Sequence, residues 1–126
     1  MKEVICGTSL FLVIITLSII TNIHTDKVTA TLADYSLGCE AEIESENWDA
    51  ANDKIKKARE NFVKNSHALE SYLIHEDIER LSDILTNIEI AVESKDKTES
   101  FSNIKIFIRR LSELSESDKL TFNNIL

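Results

Sequence analysis

Proline is absent from the 126-residue sequence, and glycine occurs only as Gly7 and Gly38. Proline breaks helices, and glycine supplies the positive φ angles that tight turns between strands require. A chain with so little of either favours long uninterrupted helices and lacks the turn chemistry of a β-sheet protein. The composition therefore predicts an all-α fold.

Basic residues are in the minority, with 14 Lys and Arg against 22 Asp and Glu, for a net charge of −8. Such a surface repels nucleic-acid phosphates and anionic lipid headgroups. We expect no nucleic-acid partner and no peripheral, charge-driven attachment to membranes.

Cysteine is limited to Cys6 and Cys39, and their different locations exclude a disulfide between them. Cys6 lies in or beside an apolar run, and Cys39 lies well outside it. A lone cysteine at a helical core position is most often a small buried apolar residue, which is our expectation for Cys39. A link between two copies of the chain through Cys39 is the alternative.

Motifs for catalysis and metal binding are also missing. The sequence His75-Glu76-Asp77-Ile78-Glu79 has Glu79 where a zinc protease has its second histidine. The three histidines lack a nucleophile and an orienting partner at a readable spacing. We expect no cofactor, no metal ion and no enzymatic activity.

The prominent positive feature is the uncharged run Val4–Ile23, in which twelve of twenty residues are Val, Ile, Leu or Phe. At ~1.5 Å per residue a helix of this length spans ~30 Å, the thickness of a hydrocarbon core. The run predicts a transmembrane anchor over residues 1–23. Lys2 and the terminal amine, opposed by Glu3, favour a cytoplasmic N-terminus and an extracytoplasmic bulk.

A cleaved signal peptide is the alternative reading of this run, and it would release a secreted protein. Signal peptides have apolar regions of ~7–15 residues that end close to a small-x-small site. Here the run is longer, and the nearest such triplet, Val28-Thr29-Ala30, lies several residues beyond its end. These features favour a retained anchor.

Four apolar stripes at spacings of three and four residues predict helices. The stripes comprise Val28, Leu32, Tyr35, Cys39 and Ile43; Trp48, Ala51, Ile55, Ala58, Phe62, Leu69 and Leu73; Ile78, Leu81, Leu85, Ile88 and Val92; and Phe101, Ile104, Ile108 and Leu111, widened by Phe107 and Leu114. Short polar connections near 45–47, 73–76 and 94–97 require antiparallel neighbours. We predict an N-terminal transmembrane helix that extends through a juxtamembrane segment, 24–46, into an up-and-down bundle, 47–126.

Helix starts are marked by capping residues. Asn47 is a natural N-cap, and Asp96 with Glu99 resembles a capping box. His75-Glu76-Asp77 suits the first turn of the third helix. Ser117 or Asp118 is predicted to cap a last short helix that carries Leu120, Phe122 and Ile125.

Two residues stand out as structural or interface candidates. Trp48, the single tryptophan, either closes one end of the bundle or stands out as a binding anchor, and we expect it in the core. His75 is expected to bond backbone or a neighbouring carboxylate at the start of a helix.

The sequence resembles a family of uncharacterised clostridial and Firmicutes membrane proteins, domain of unknown function 4363. The resemblance rests on the apolar N-terminus and on three segments: Glu46-Asn47-Trp48-Asp49-Ala50-Ala51, Ile74-His75-Glu76-Asp77-Ile78 and Leu120-Thr121-Phe122-Asn123-Asn124-Ile125-Leu126. It covers nearly the whole chain and implies a membrane-anchored helical topology without an assigned activity.

The sequence thus predicts a single-pass membrane protein that displays a non-enzymatic helical module at the cell envelope. Its expected partners are the lipid bilayer and either an unidentified envelope protein or a second copy of itself. The alternative is a ligand-sensing bundle that acts through a membrane partner.

Overall fold

A computed structural model of the chain describes the backbone of residues 1–125 and the side chains of residues 1–116. Over this range the chain forms four helices and no strand, which confirms the predicted all-α class. The helices are α1 (Lys2–Glu44), α2 (Trp48–Glu70), α3 (His75–Glu93) and α4 (Lys97–Ile125).

Helix α1 is a single unbroken rod of 43 residues with two different surroundings. Its most apolar 18-residue window, with a mean hydropathy of 2.4, has no residue buried against the rest of the described protein. This is the one helix of the described chain that is long and apolar enough to cross a membrane. From Thr25 to Ile43 the same helix buries one face in the protein core.

The helices form a four-membered ring in which each contacts two neighbours. Helix α1 packs against α2 and α4, and α3 packs against the same two helices, so α1 and α3 are diagonal partners. Because each connection is only three or four residues long, consecutive helices run antiparallel. The turn between α2 and α3 therefore lies at the bundle end where α1 leaves its apolar segment.

The predicted apolar stripes meet in one core. The buried members are Val28, Leu32, Cys39, Ile43, Ala51, Ile55, Ala58, Phe62, Leu69, Ile78, Leu81, Leu85, Ile88, Val92, Ile104, Phe107, Leu111 and Leu114. In α4 the fully buried positions centre on Ile104, Phe107 and Leu111, whereas Phe101 and Ile108 lie at the margin. The fourth stripe is thus rotated slightly from its predicted centre.

The turns at the other end of the bundle, α1–α2 and α3–α4, share one geometry. Glu46 and Lys95 adopt positive φ angles of 59° and 56°. The amide of the following residue, Asn47 or Asp96, donates to a carbonyl five residues earlier at 2.8 and 2.9 Å respectively, which is the Schellman arrangement. These turns are therefore built without glycine.

The N-caps predicted at Asn47 and Asp96 are confirmed. The Asn47 side-chain oxygen accepts from the Ala50 amide at 3.4 Å, and an Asp96 carboxylate oxygen accepts from the Glu99 amide at 3.0 Å. Each acceptor satisfies a first-turn amide that has no partner inside its own helix.

Two predictions about helix ends are wrong. The second connection is Ser71–Ile74 rather than a polar segment near 73–76, because α2 ends at Glu70 and Tyr72, Leu73 and Ile74 form the turn. The predicted short final helix capped by Ser117 or Asp118 does not exist separately, since α4 continues unbroken to Ile125. Ser and Asp are tolerated inside a helix whose backbone bonds continue past them. The side chains of Leu120, Phe122 and Ile125 lie outside the described residues.

Candidate functional site at the base of the bundle

The base of the bundle is the end at which α1 passes from its exposed apolar segment into the core. There the Tyr72 hydroxyl, in the α2–α3 turn, lies 2.8 Å from Nδ1 of His24 and 3.0 Å from the hydroxyl of Thr25. The rings of His24 and Tyr72 meet edge to face, with centroids 6.2 Å apart. The turn is thus fastened to α1 one residue after the predicted anchor ends.

For the contacts among His24, Thr25, Tyr72 and the Thr21 carbonyl, one proton assignment gives each contact a hydrogen. Thr25 is completely buried, and its hydroxyl donates to the Thr21 carbonyl at 2.9 Å. The Tyr72 hydroxyl then donates to Thr25, and the His24 Nδ1–H donates to the Tyr72 oxygen. Both the neutral Nδ1–H tautomer and the imidazolium of His24 can make this bond.

Helix α4 is attached at the same level of α1. The Ser115 hydroxyl donates to a carboxylate oxygen of Asp26, two residues after His24. Residues 24–26 of α1 therefore bond to the α2–α3 turn and to α4. The exposed apolar segment and the bundle are joined without a flexible linker.

Trp48 and His75, the two residues singled out from the sequence, lie at opposite ends of the bundle. Trp48 is the first residue of α2 at the far end, where it is half-buried and packs against the core. His75 begins α3 at the base, where it is exposed and its ring nitrogens lie 3.4 Å from Glu70 and 3.0 Å from Glu79. Helix α2 separates the two ends by roughly 33 Å at 1.5 Å per residue, so they do not form one site.

The partners of His75 are both neighbouring carboxylates. They connect the end of α2 to the first turn of α3. In the described part of the chain, no group of three His, Cys, Asp or Glu side chains is arranged to hold a metal ion.

A cleft of about 170 Å³ lies between α3 and α4 near the base. Both of its arginines are bonded to carboxylates: Arg80 bonds Glu76 at 2.8 Å, and Arg110 bonds Glu113 at 3.1 Å. The remaining lining residues are Asp77, Leu81 and Leu114. Its arginines are partly neutralised before any ligand arrives.

Cys39 is completely buried on α1, as its position in the apolar stripe predicts. Burial, with a smaller contribution from the charge of Glu40, raises the pKa of the Cys39 thiol to about 12. The thiol is therefore protonated and unreactive at neutral pH. A link between two copies through Cys39 would require the core to open.

Sequence reasoning missed the cluster of His24, Thr25 and Tyr72. The only signal was indirect, namely polar residues at the end of an apolar run and a tyrosine close to the predicted turn. Pairing them required the antiparallel arrangement and the true end of α2 at Glu70.

No match was found among curated proteins or among solved structures. Residues 19–125 match the family model described as domain of unknown function (DUF4363). This range takes in the end of the apolar run, the cluster at the base, the part of α1 that packs in the core, and helices α2 to α4. The chain belongs to the DUF4363 family.

Proposed function

We propose that the protein is a single-pass membrane protein whose bundle stands outside the cytoplasmic membrane as a non-enzymatic interaction or structural module of the cell envelope. The observation that supports it most is the continuity of α1. One helix carries an unburied apolar window of mean hydropathy 2.4 and, from Thr25 onward, part of the bundle core. An apolar surface of that length is stable in a hydrocarbon environment.

Retention of the anchor is supported by the same helix. The triplet Val28-Thr29-Ala30 that resembles a cleavage site lies inside α1, and both Val28 and Thr29 are buried. Cleavage there would cut a packed helix and remove the His24, Thr25 and Asp26 contacts. A chain cut there would lack residues 24–26, so the base of the bundle with these contacts requires the segment to be retained.

An interaction role is favoured over ligand sensing by the state of the α3–α4 cleft. Its arginines already bond Glu76 and Glu113, so a ligand anion would have to displace these carboxylates. The proposed partner is an envelope protein or a second copy of the chain.

Membrane attachment and orientation can be tested together. We expect the full-length chain to stay in the membrane pellet after high salt and alkaline carbonate, because apolar burial holds it. A Ser45→Cys variant in a Cys6→Ser background places a thiol in the far turn, where a membrane-impermeant maleimide should label it in intact cells. The Cys6→Ser parent is the blank, since Cys39 is buried. Release by carbonate would contradict the anchor, and labelling only after permeabilisation would reverse the orientation.

The interaction role is tested by crosslinking the full-length protein in its own membranes and purifying it under denaturing conditions. A reproducible crosslinked band, either a heteromer or a dimer, supports the role. A chain that remains monomeric across crosslinkers of different length would contradict it.

A further inference from the structure

The α2–α3 turn has an unusual composition for a surface turn. The far turns consist of Ser45-Glu46-Asn47 and Ser94-Lys95-Asp96, which are entirely polar. The base turn is Ser71-Tyr72-Leu73-Ile74, which carries no charge. Turn residues are normally Gly, Asn, Asp, Ser or Pro, so three large apolar or aromatic residues in succession need a reason.

Burial in the core does not supply the whole reason. Tyr72 and Leu73 are half-buried, but the Ile74 side chain is 67% exposed. It lies in the turn at the base of the bundle, immediately before α3. An isolated exposed isoleucine is ordinary on a protein surface. Ile74 bears on membrane contact because its turn lies beside the end of the apolar segment of α1.

The turn is level with the end of the apolar run. The Tyr72 hydroxyl is bonded to His24 and Thr25, and the last apolar residue of the run, Ile23, directly precedes His24. Ile23 is itself exposed to the surroundings of the bundle. A bilayer that covers the run to Ile23 therefore has its boundary at the height of the turn.

A tilt of α1 in the membrane changes the height of the turn relative to the bilayer boundary only slightly. Packed helices lie 8–10 Å apart, and a tilt of about 20° moves a point at about 10 Å from the axis by only about 3 Å along the membrane normal. The headgroup region on each side of the hydrocarbon core is roughly 5–7 Å deep. The turn thus stays within that region at ordinary tilts.

We infer that the Ser71–Ile74 turn rests in the headgroup region of the bilayer that α1 crosses, with Ile74 directed into lipid and Tyr72 at the interface. This inference rests on the proposed membrane location and adds a second contact to it. Tyrosine is enriched at this depth because its ring is apolar and its hydroxyl is polar. The contact would hold the bundle upright on the membrane and fix which face points away from it.

The flanking charges identify the kind of lipid surface. Glu70 precedes the turn, and Glu76 and Asp77 follow it in the first turn of α3. These carboxylates would be repelled by an anionic surface, so the turn suits a zwitterionic one. Phosphatidylcholine vesicles are therefore the appropriate probe.

The depth of the turn can be measured with a single tryptophan as reporter. Trp48→Phe gives a full-length parent without tryptophan, into which Ile74→Trp is introduced. Ile90→Trp is the matched control, because Ile90 is also exposed, at 60%, and lies roughly 24 Å further along α3. Val13→Trp, at the centre of the apolar run, reports insertion of the anchor.

Each variant is reconstituted in phosphatidylcholine vesicles with and without brominated lipids. The bromines lie near the headgroup end of the acyl chain for Ile74→Trp and Ile90→Trp, and near the methyl end of the chain for Val13→Trp. We expect brominated lipid to reduce Ile74→Trp fluorescence at least twofold and to leave Ile90→Trp nearly unchanged. Both carry the same intrinsic preference of tryptophan for interfaces, so the difference reports position. Helicity confirms that each variant is folded, as does protection of Cys39 from labelling when Cys6→Ser is added.

The experiment distinguishes failure of the turn contact from failure of the proposed membrane location. Quenching of Val13→Trp without quenching of Ile74→Trp overturns the turn contact and leaves the anchor intact. Equal quenching of Ile74→Trp and Ile90→Trp also overturns it, because the bundle would then lie flat on the surface. An unquenched Val13→Trp overturns the proposed membrane location itself, and the turn contact with it.

Discussion

Arg59 on α2 donates from Nε to a carboxylate oxygen of Glu89 on α3 at 2.8 Å. The same guanidinium donates to the Thr86 hydroxyl at 2.8 Å and to the hydroxyl and carbonyl of Ser82 at 3.1 and 3.2 Å. One side chain of α2 therefore contacts two successive turns of α3. Because a guanidinium presents its donors in a fixed planar fork, these bonds define the axial position of α3 against α2.

Removing this cross-link should weaken the bundle measurably. The Arg59 side chain is 24% exposed, so its loss leaves Glu89 partly desolvated, and Arg59→Leu should lower the free energy of unfolding by about 2 kcal/mol. Arg80→Leu is the control, because Arg80 is 54% exposed and its pair with Glu76 should contribute less than about 0.5 kcal/mol. Urea unfolding in detergent micelles, followed by Trp48 fluorescence, measures both. If both variants lower the free energy of unfolding equally, the Arg59 bonds stabilise the bundle no more than an exposed ion pair does.

The positive φ of Lys95 predicts a stabilising substitution. A residue with a Cβ in the left-handed region costs ~1–2 kcal/mol relative to glycine, partly offset by the greater freedom of glycine in the unfolded chain. With Lys95 at φ 56°, Lys95→Gly should raise the free energy of unfolding by about 0.5–1 kcal/mol. Lys95→Ala removes the same charge and keeps the strain, so it should give no gain. A similar gain in both variants would assign the effect to charge instead.

The helices were predictable because their periodicity is a direct physical requirement of packing. Ile55, Leu85 and Phe107 lie at positions where a one-sided apolar stripe must face other helices, and all three are buried. Asn47 and Asp96 were equally readable, since few side chains can satisfy first-turn amides. Such local signals are sufficient for helix existence and for most helix starts.

The turns and the base were less predictable because they depend on tertiary structure. Glu46 and Lys95 occupy conformations that glycine usually supplies, so composition alone gave no indication of Schellman turns. Tyr72 is joined to His24 across 48 positions in the sequence, and no periodic pattern encodes such a contact. The end of α4 was misread because polar residues at 115–118 resemble a cap while the helix continues.

Cys39 offers a chemical readout of the closed bundle. A thiol pKa shifted from 9.0 to about 12 reduces the thiolate fraction at pH 8 about a thousandfold, and burial excludes the reagent as well. In a Cys6→Ser background, iodoacetamide at pH 8 should modify Cys39 very slowly in the folded protein and rapidly in urea. The raised pKa also makes the stability depend on pH. Because the Cys39 pKa is higher in the folded than in the unfolded protein, the free energy of unfolding should fall progressively as the pH rises above about 9. Equally fast labelling with and without urea would contradict a closed core at Cys39.

Trp48 distinguishes a core role from a binding role at the far end of the bundle. Its ring packs against the core but is only half-buried, so Trp48→Ala should cost about 2–3 kcal/mol, less than the ~3–5 kcal/mol typical of a fully buried tryptophan. Trp48→Phe keeps an aromatic ring against the same neighbours and should cost less than about 1 kcal/mol. The measurement is the urea dependence of Cys39 labelling in the Cys6→Ser background, which needs no tryptophan. An interface anchor behaves differently, because truncation removes binding energy and leaves folding intact. An unchanged midpoint in Trp48→Ala, together with loss of the crosslinked partner, would therefore reassign Trp48 from the core to a binding surface.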